Sequence, residues 1–169
     1  MTILLKCTYV EPEITATSRS SLIRTHMNLC QALSERLLGL DNQETAEAIG
    51  TLALLQKAFG DPESAVSNFR KSIRLMELAG GPTNHEAGVL YKQMGVLYQE
   101  AGHYKLAIKC FHETLKRHSA DIRSRATVLK LVADCCNRDG AHNEACKAER
   151  RCKLLLEQLF GAKSAQVRE

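Results

Sequence analysis

Residues 88–121 read GVLYKQMGVLYQEAGHYKLAIKCFHETLKRHSAD, and the order of large and small side chains in this stretch decides the fold. Tyr91 is a bulky first position, Met94 and Gly95 form a large–small pair, and Tyr98 follows as the next aromatic. Gly102 and Tyr104 mark a turn, after which Ala107, Phe111 and Thr114 recur at helical spacing. Each residue type has a physical reason. Small residues let two helices approach closely, large ones fill the space between them, and a glycine ends the first helix.

The pattern occurs three times. A shift of 42 residues toward the N-terminus finds Ile49, Leu52-Ala53, Gly60, Pro62, Ala65, Phe69 and Ser72. A shift of 38 toward the C-terminus finds Leu129, Val132-Ala133, Gly140, His142, Ala145, Glu149 and Cys152. A further shift of 42 toward the N-terminus keeps Ile23, Met27 and Cys30 for a second helix but puts Pro12 inside the first, which a helix interior does not tolerate. The spacing therefore predicts a helix over 20–38 and three helix pairs, 44–59 with 62–79, 85–101 with 104–118, and 122–138 with 141–160. Residues 1–19 read as a tail or a truncated repeat. This is the tetratricopeptide (TPR) pattern, an all-α right-handed superhelix of helix-turn-helix units, here with a period of about 42 residues.

The joints between pairs repeat as well. LGLDNQETA (38–46) and GGPTNHEAG (80–88) read as a helix stop at Gly39 and Gly81, followed by the capping boxes Asp41-x-x-Glu44 and Thr83-x-x-Glu86. Gly161 repeats the stop, and the joint near RHSADIRSR is shorter and lacks the glycine.

Composition excludes several classes. The chain is 44% apolar and 25% charged, the balance of a soluble globular protein, and no window is apolar enough to span a membrane. Seven cysteines is an odd number with no secretory signal beside it, which points to free thiols in a reducing, cytoplasmic setting. Net charge is +4, unevenly spread: residues 1–103 carry 9 basic against 11 acidic side chains, and 104–169 carry 14 against 8. The basic C-terminal half suits an acidic partner.

Metal and nucleophile readings compete with packing. Cys135, Cys136, His142, Cys146 and Cys152 crowd one region, yet Cys30, Ser72, Thr114 and Cys152 share one small-residue packing position, and no zinc-type Cys pair is present. Cys146 and His142 are helix neighbours without an orienting acid or oxyanion donor. No metal, cofactor or catalytic residue is expected, and the chain reads as a non-enzyme.

In a TPR array the first helix of each pair lines the concave groove. That places Glu47, Gly50, Leu54, Lys57 and Ala58, then Val89, Lys92, Val96, Gln99 and Glu100, then Thr127, Lys130, Asp134, Asn137 and Arg138 on that face. Lys57, Lys92, Gln99, Lys130, Asn137 and Arg138 are the candidate contacts for an acidic protein or peptide ligand. A second candidate surface is basic. Lys105, Lys109, His112 and Lys116 fall on one face of a second helix, and Arg117, Arg123 and Arg125 extend it, a stripe that suits an RNA backbone. No aromatic side chain interleaves it in the sequence. Glu149 and Lys153 interrupt the apolar face of the last helix as a polar solenoid cap, while helix 20–38 looks open to self-association or to a preceding repeat.

Three phrases carry a family resemblance. SERLLGLDNQETAEAIGTLAL, RLMELAGGPTNHEAGVLYKQMGVLYQEAGHYKLAIKCFHETLKRH and ACKAERRCKLLLEQLFGAKSAQVRE resemble successive TPR repeats of the Clu (clustered mitochondria) proteins over about residues 28–169, with the charged step at Glu149 as the most discriminating point. The joints depart from the family's usual His-Pro. The resemblance implies the C-terminal TPR region of a longer cytosolic protein near the mitochondrial surface, concerned with mitochondrial distribution and with messenger RNAs for mitochondrial proteins. A more distant similarity to kinesin light chains implies instead an adaptor that grips cargo peptides in the groove.

Overall fold

A computed structural model describes residues 42–117 and 121–161, with Ser21, Arg24, Thr25, Asn28, Leu29, Ala32, Leu33 and Arg36 as helical positions before them. The expectations for residues 1–19, for most of helix 20–38, for Gly39 and Asp41, and for residues 118–120 lie outside the described residues. Six helices follow in order: α1 (Gln43–Ala58), α2 (Pro62–Gly80), α3 (His85–Glu100), α4 (Tyr104–Arg117), α5 (Ile122–Arg138) and α6 (His142–Phe160). No strand occurs among the described residues. The predicted pairs agree with these within a residue or two.

The turn inside each pair is built identically. Gly60, Gly102 and Gly140 take positive φ. The amide after each glycine returns to a carbonyl five residues back, Asp61 to Gln56, His103 to Tyr98 and Ala141 to Cys136, at 2.8–3.0 Å. Each glycine's own amide closes the inner bond, to Lys57, Gln99 and Asn137. This double closure is the Schellman stop, which consumes the orphan carbonyls of the first helix and turns the chain back on itself.

The N-caps of α1 and α3 lie one residue later than the sequence reading placed them. Asn42 caps α1, its side chain accepting from the Glu44 amide, and Asn84 caps α3, accepting from Glu86 and Ala87 at 2.8 and 3.3 Å. Thr83 is exposed and is not the cap. The two glutamates therefore stand at the second helical position, too early to close a capping box. An Asn also donates, which an Asp carboxylate could not: Asn84 Nδ2 reaches the Met76 carbonyl at 3.3 Å. One side chain thus ends α2 and begins α3. Gly80 leaves room for it, since a Cβ there would sit 2.5 Å from Asn84 Nδ2. Gly81 and Gly161 are the C-caps expected of them.

Packing follows the repeat. The two helices of each pair make the most extensive contacts, α2 leans on α3 and α4 on α5, and α1 touches α3 directly. Within each pair the small-residue position of the second helix bonds to the first helix's backbone: Ser72 Oγ to Ala46, Thr114 Oγ1 to Gly88 and Cys152 Sγ to Ala126. Phe69 and Phe111 are fully buried against the first-helix large–small pairs. Gly95 is required there, because a Cβ would stand 2.6 Å from the Phe111 ring. Two apolar clusters result, one through α1, α2 and α3, the other through α4, α5 and α6, with Tyr98 against both. Gly50, placed in the groove by its register, is instead buried against Ser72 and Leu90.

Candidate functional site: the inner helix face

The first helices α1, α3 and α5 are tied to one another by polar side chains along a common face. Gln43 donates to Glu86 at 3.2 Å, Lys57 Nζ to Gln93 at 3.0 Å, and Gln99 Nε2 to Asp134 at 2.6 Å. Asp134 also accepts from Arg138 at 3.3 Å, and Asn137 donates to Glu149 at 3.4 Å. The first three of these bonds join adjacent repeats, so the face is held in register before any ligand arrives.

Of the six predicted groove contacts, Lys57, Gln99, Asn137 and Arg138 are therefore engaged with neighbours. Lys92 and Lys130 make no hydrogen bond or ion pair with any described residue. They occupy the same position in consecutive first helices, 38 residues apart in register, Lys92 half-buried and Lys130 exposed. Two uncommitted ammonium groups at repeat spacing beside a fixed row of amides and carboxylates can hold an anionic group while nearby polar groups bond a peptide backbone.

The basic stripe does not survive as a row of free cations. Lys105 and Lys109 on α4 are exposed and uncommitted. Lys116 is paired with Glu113 at 2.6 Å. The Arg123 guanidinium lies 5.8 Å from the Phe160 ring centroid, and Arg125 is half-buried with a partner of its own. Arg117 departs furthest. Its side chain is only 7% exposed and bridges Glu77 of α2 (2.5 Å) and Glu113 of its own helix (2.7 Å). Its guanidinium covers the Tyr91 ring at 4.5 Å, and Tyr91 donates to Glu77 at 3.3 Å. The physical reason is position: Arg117 closes α4 where that helix meets α2 and α3, and two carboxylates compensate the burial of its charge. Burial opposes the charge, but the Glu113 hydrogen bond with the Tyr91 and Glu77 contributions outweighs it, and the pKa is raised. Lys116 and then Arg117 hold the Glu113 carboxyl below its usual value.

Sequence reasoning missed Tyr91, Arg70, Arg74 and Glu77 as surface-forming residues. The signal was present, since the 42-residue shift aligns Arg70 and Arg74 with His112 and Lys116. Of the described cysteines, Cys110, Cys135, Cys136 and Cys152 are buried packing residues and Cys146 is exposed. Among the described residues no three His, Cys, Asp or Glu side chains gather as a metal site, and no helix is long and apolar enough to cross a membrane.

No protein-family model matches the chain, and no curated protein matches it. Solved structures do. BtubC (BKLC) from P. vanneervenii superposes with a TM-score of 0.76 at 15% identity, covering 86% of this chain and 60% of that one. The chain thus spans less than two thirds of BtubC. MamA superposes with a TM-score of 0.58 at 14% identity, covering 88% of this chain and 82% of MamA. Both are helical-repeat proteins of the TPR kind, and at such identities the likeness establishes the fold alone. The chain is an all-α array of TPR-type helix pairs.

Proposed function

We propose that this chain is a non-catalytic scaffold that binds an acidic protein or peptide segment along the face of α1, α3 and α5. The observation that carries the reading is the pair Lys92 and Lys130, equivalent in consecutive repeats and uncommitted beside side chains that already hold each other in place. Preorganised neighbours reduce the ordering cost of binding, and the two ammonium groups supply the attraction. The resemblance of the repeat phrases to Clu proteins supports a finer placement, in mitochondrial distribution and the handling of messenger RNAs for mitochondrial proteins, on the cytoplasmic side. RNA contact would then fall on Lys105 and Lys109, the stripe residues left without partners.

Crosslinking and recovery from cells tests both parts. Lys92→Glu with Lys130→Glu is expected to lose protein partners that the wild type retains. If every partner remains, the inner-face reading is wrong. Lys105→Glu with Lys109→Glu is expected to lower RNA recovery, and unchanged recovery removes the RNA element.

A further inference from the structure

Where α2 and α4 flank Tyr91 of α3, two clefts of about 290 Å³ each share that ring as a wall. The first is completed by Arg70, Ile73, Arg74, Glu77 and Met94, and the second by Lys109, Cys110, His112 and Glu113. Neither belongs to the inner face, whose candidate residues line neither cleft. The floor is apolar, with Ile73, Met94 and Cys110 all buried. Burial pushes the Cys110 thiol up to about 11, so the floor carries no charge at neutral pH.

The rim is cationic. Arg74 and Lys109 are exposed and make no hydrogen bond or ion pair with a described residue. Arg70 uses part of its fork on the Tyr98 hydroxyl at 2.6 Å, leaving further donors. The two carboxylates of the groove are already compensated, Glu77 by Arg117, and Glu113 by Arg117 and Lys116. Arg117 itself retains a buried Nε that makes no hydrogen bond.

The geometry points to a second docking groove here, between α2 and α4, for an acidic peptide segment that carries apolar side chains. Charge complementarity selects an acidic partner, because the uncommitted rim is wholly basic. The apolar wells select side chains rather than charge alone, since an acidic chain without them leaves the accessible apolar walls of the two clefts, the half-buried Tyr91 ring among them, in water. A peptide also suits the two glutamates better than a nucleic acid does. Their remaining lone pairs accept from backbone amides, whereas an unbroken row of phosphates would meet a carboxylate in each cleft. None of the inner-face candidates lines the groove, so one array would hold two partners at separate sites.

The test uses the full chain, a fluorescent peptide of alternating Asp and Leu, an all-Asp peptide of equal charge, and single-stranded uridine RNA. Anisotropy reports affinity, and backbone amide NMR reports place. The Asp-Leu peptide is expected to shift amides at Ile73, Arg74 and Cys110. Arg74→Glu with Lys109→Glu should weaken it by about tenfold or more, with helicity by circular dichroism unchanged. The all-Asp peptide should bind more weakly. Shifts confined to α1, α3 and α5 would overturn the groove while leaving the inner-face reading intact. Equal affinity of the two peptides, or stronger shifts at these amides from RNA, would overturn it as well. Lys92→Glu with Lys130→Glu should leave the shifts at Ile73 and Cys110 in place, and their loss would count against two separate sites.

Discussion

The Thr114 hydroxyl proton is shared between the carbonyl of Gly88, 26 residues earlier, at 3.2 Å and that of Cys110 on its own helix at 3.1 Å. Ser72 and Ala46 stand in the same relation as Thr114 and Gly88, as do Cys152 and Ala126. Three hydroxyl or thiol groups, all buried, thereby pin each second helix to the backbone of the first. Thr114→Val preserves the shape and removes the donor. It should lower unfolding stability in urea by about 1 kcal/mol, the usual net worth of a buried hydrogen bond. Thr114→Ser keeps the donor and should lose less.

Gly95 and Phe111 define the closest helix approach in the second repeat. A methyl group at 95 would stand 2.6 Å from the ring, and the Phe111 side chain is fully buried with little room to withdraw. Gly95→Ala should therefore destabilise by about 1–3 kcal/mol despite the better helix propensity of alanine. The first and third repeats carry Ala53 and Ala133 at this position. Phe111→Leu in the Gly95→Ala background should recover part of the loss, giving a double-mutant cycle whose terms do not add. Additive losses would mean that the two residues do not share the space.

The joint distinguishes the observed cap from the one the sequence suggested. Asn84 accepts two amides of α3 and donates to Met76 of α2. Asn84→Ala should cost about 1–2 kcal/mol by thermal or urea unfolding, and Thr83→Ala should be near neutral. Asn84→Asp keeps the acceptor and loses the donor, so it should fall between them.

The repeat was legible because its signal is periodic. Ser72, Thr114 and Cys152 differ chemically yet occupy one register position, and three glycines mark the same turn. The caps were misplaced by one residue because Asp, Thr and Asn are all good capping residues. Choosing between neighbours requires the φ and ψ of the joint, which a spacing pattern does not contain. Arg117 was unreadable for a different reason. Its helix period puts it beside Lys116 at the surface, and its burial depends on Glu77, 40 residues earlier in another repeat. The groove between α2 and α4 has the same origin. Arg74 and Lys109 become neighbours across Tyr91 only once the helix pairs are stacked.

The Arg117 cluster makes stability depend on acidity. Glu113 has a lowered pKa, through Lys116 first and Arg117 second. A lowered folded pKa contributes stability that is present above the unfolded value, about 4.3, and is lost as pH falls through the folded value. Arg117→Met leaves two partly exposed carboxylates without their shared guanidinium, and should destabilise by about 1–3 kcal/mol at neutral pH. Its loss should shrink as pH falls below about 4, because a protonated Glu113 no longer needs the cation. A loss of the same size at all pH values would show that Arg117 acts through packing alone.

The thiols should separate by burial. Cys110 and Cys135 are each pushed up to about 11 from an ordinary 9.0, in both cases mainly by desolvation, and Cys136 and Cys152 are raised in the same direction. Two pH units above the ordinary value leave about a hundredfold less thiolate at pH 8, and the thiolate is the reactive species. Peptide-resolved alkylation should therefore modify exposed Cys146 first and the four buried thiols only slowly. The sign of the stability effect follows from the same shifts. Between about pH 9 and 11 the unfolded chain releases protons that folded Cys110 and Cys135 retain, so stability falls as pH rises through that window. Adding urea at constant pH 8 should bring the four buried thiols up to the rate of Cys146. If Cys110 or Cys135 labels as fast as Cys146 in the folded chain, the packing role assigned to these cysteines is wrong.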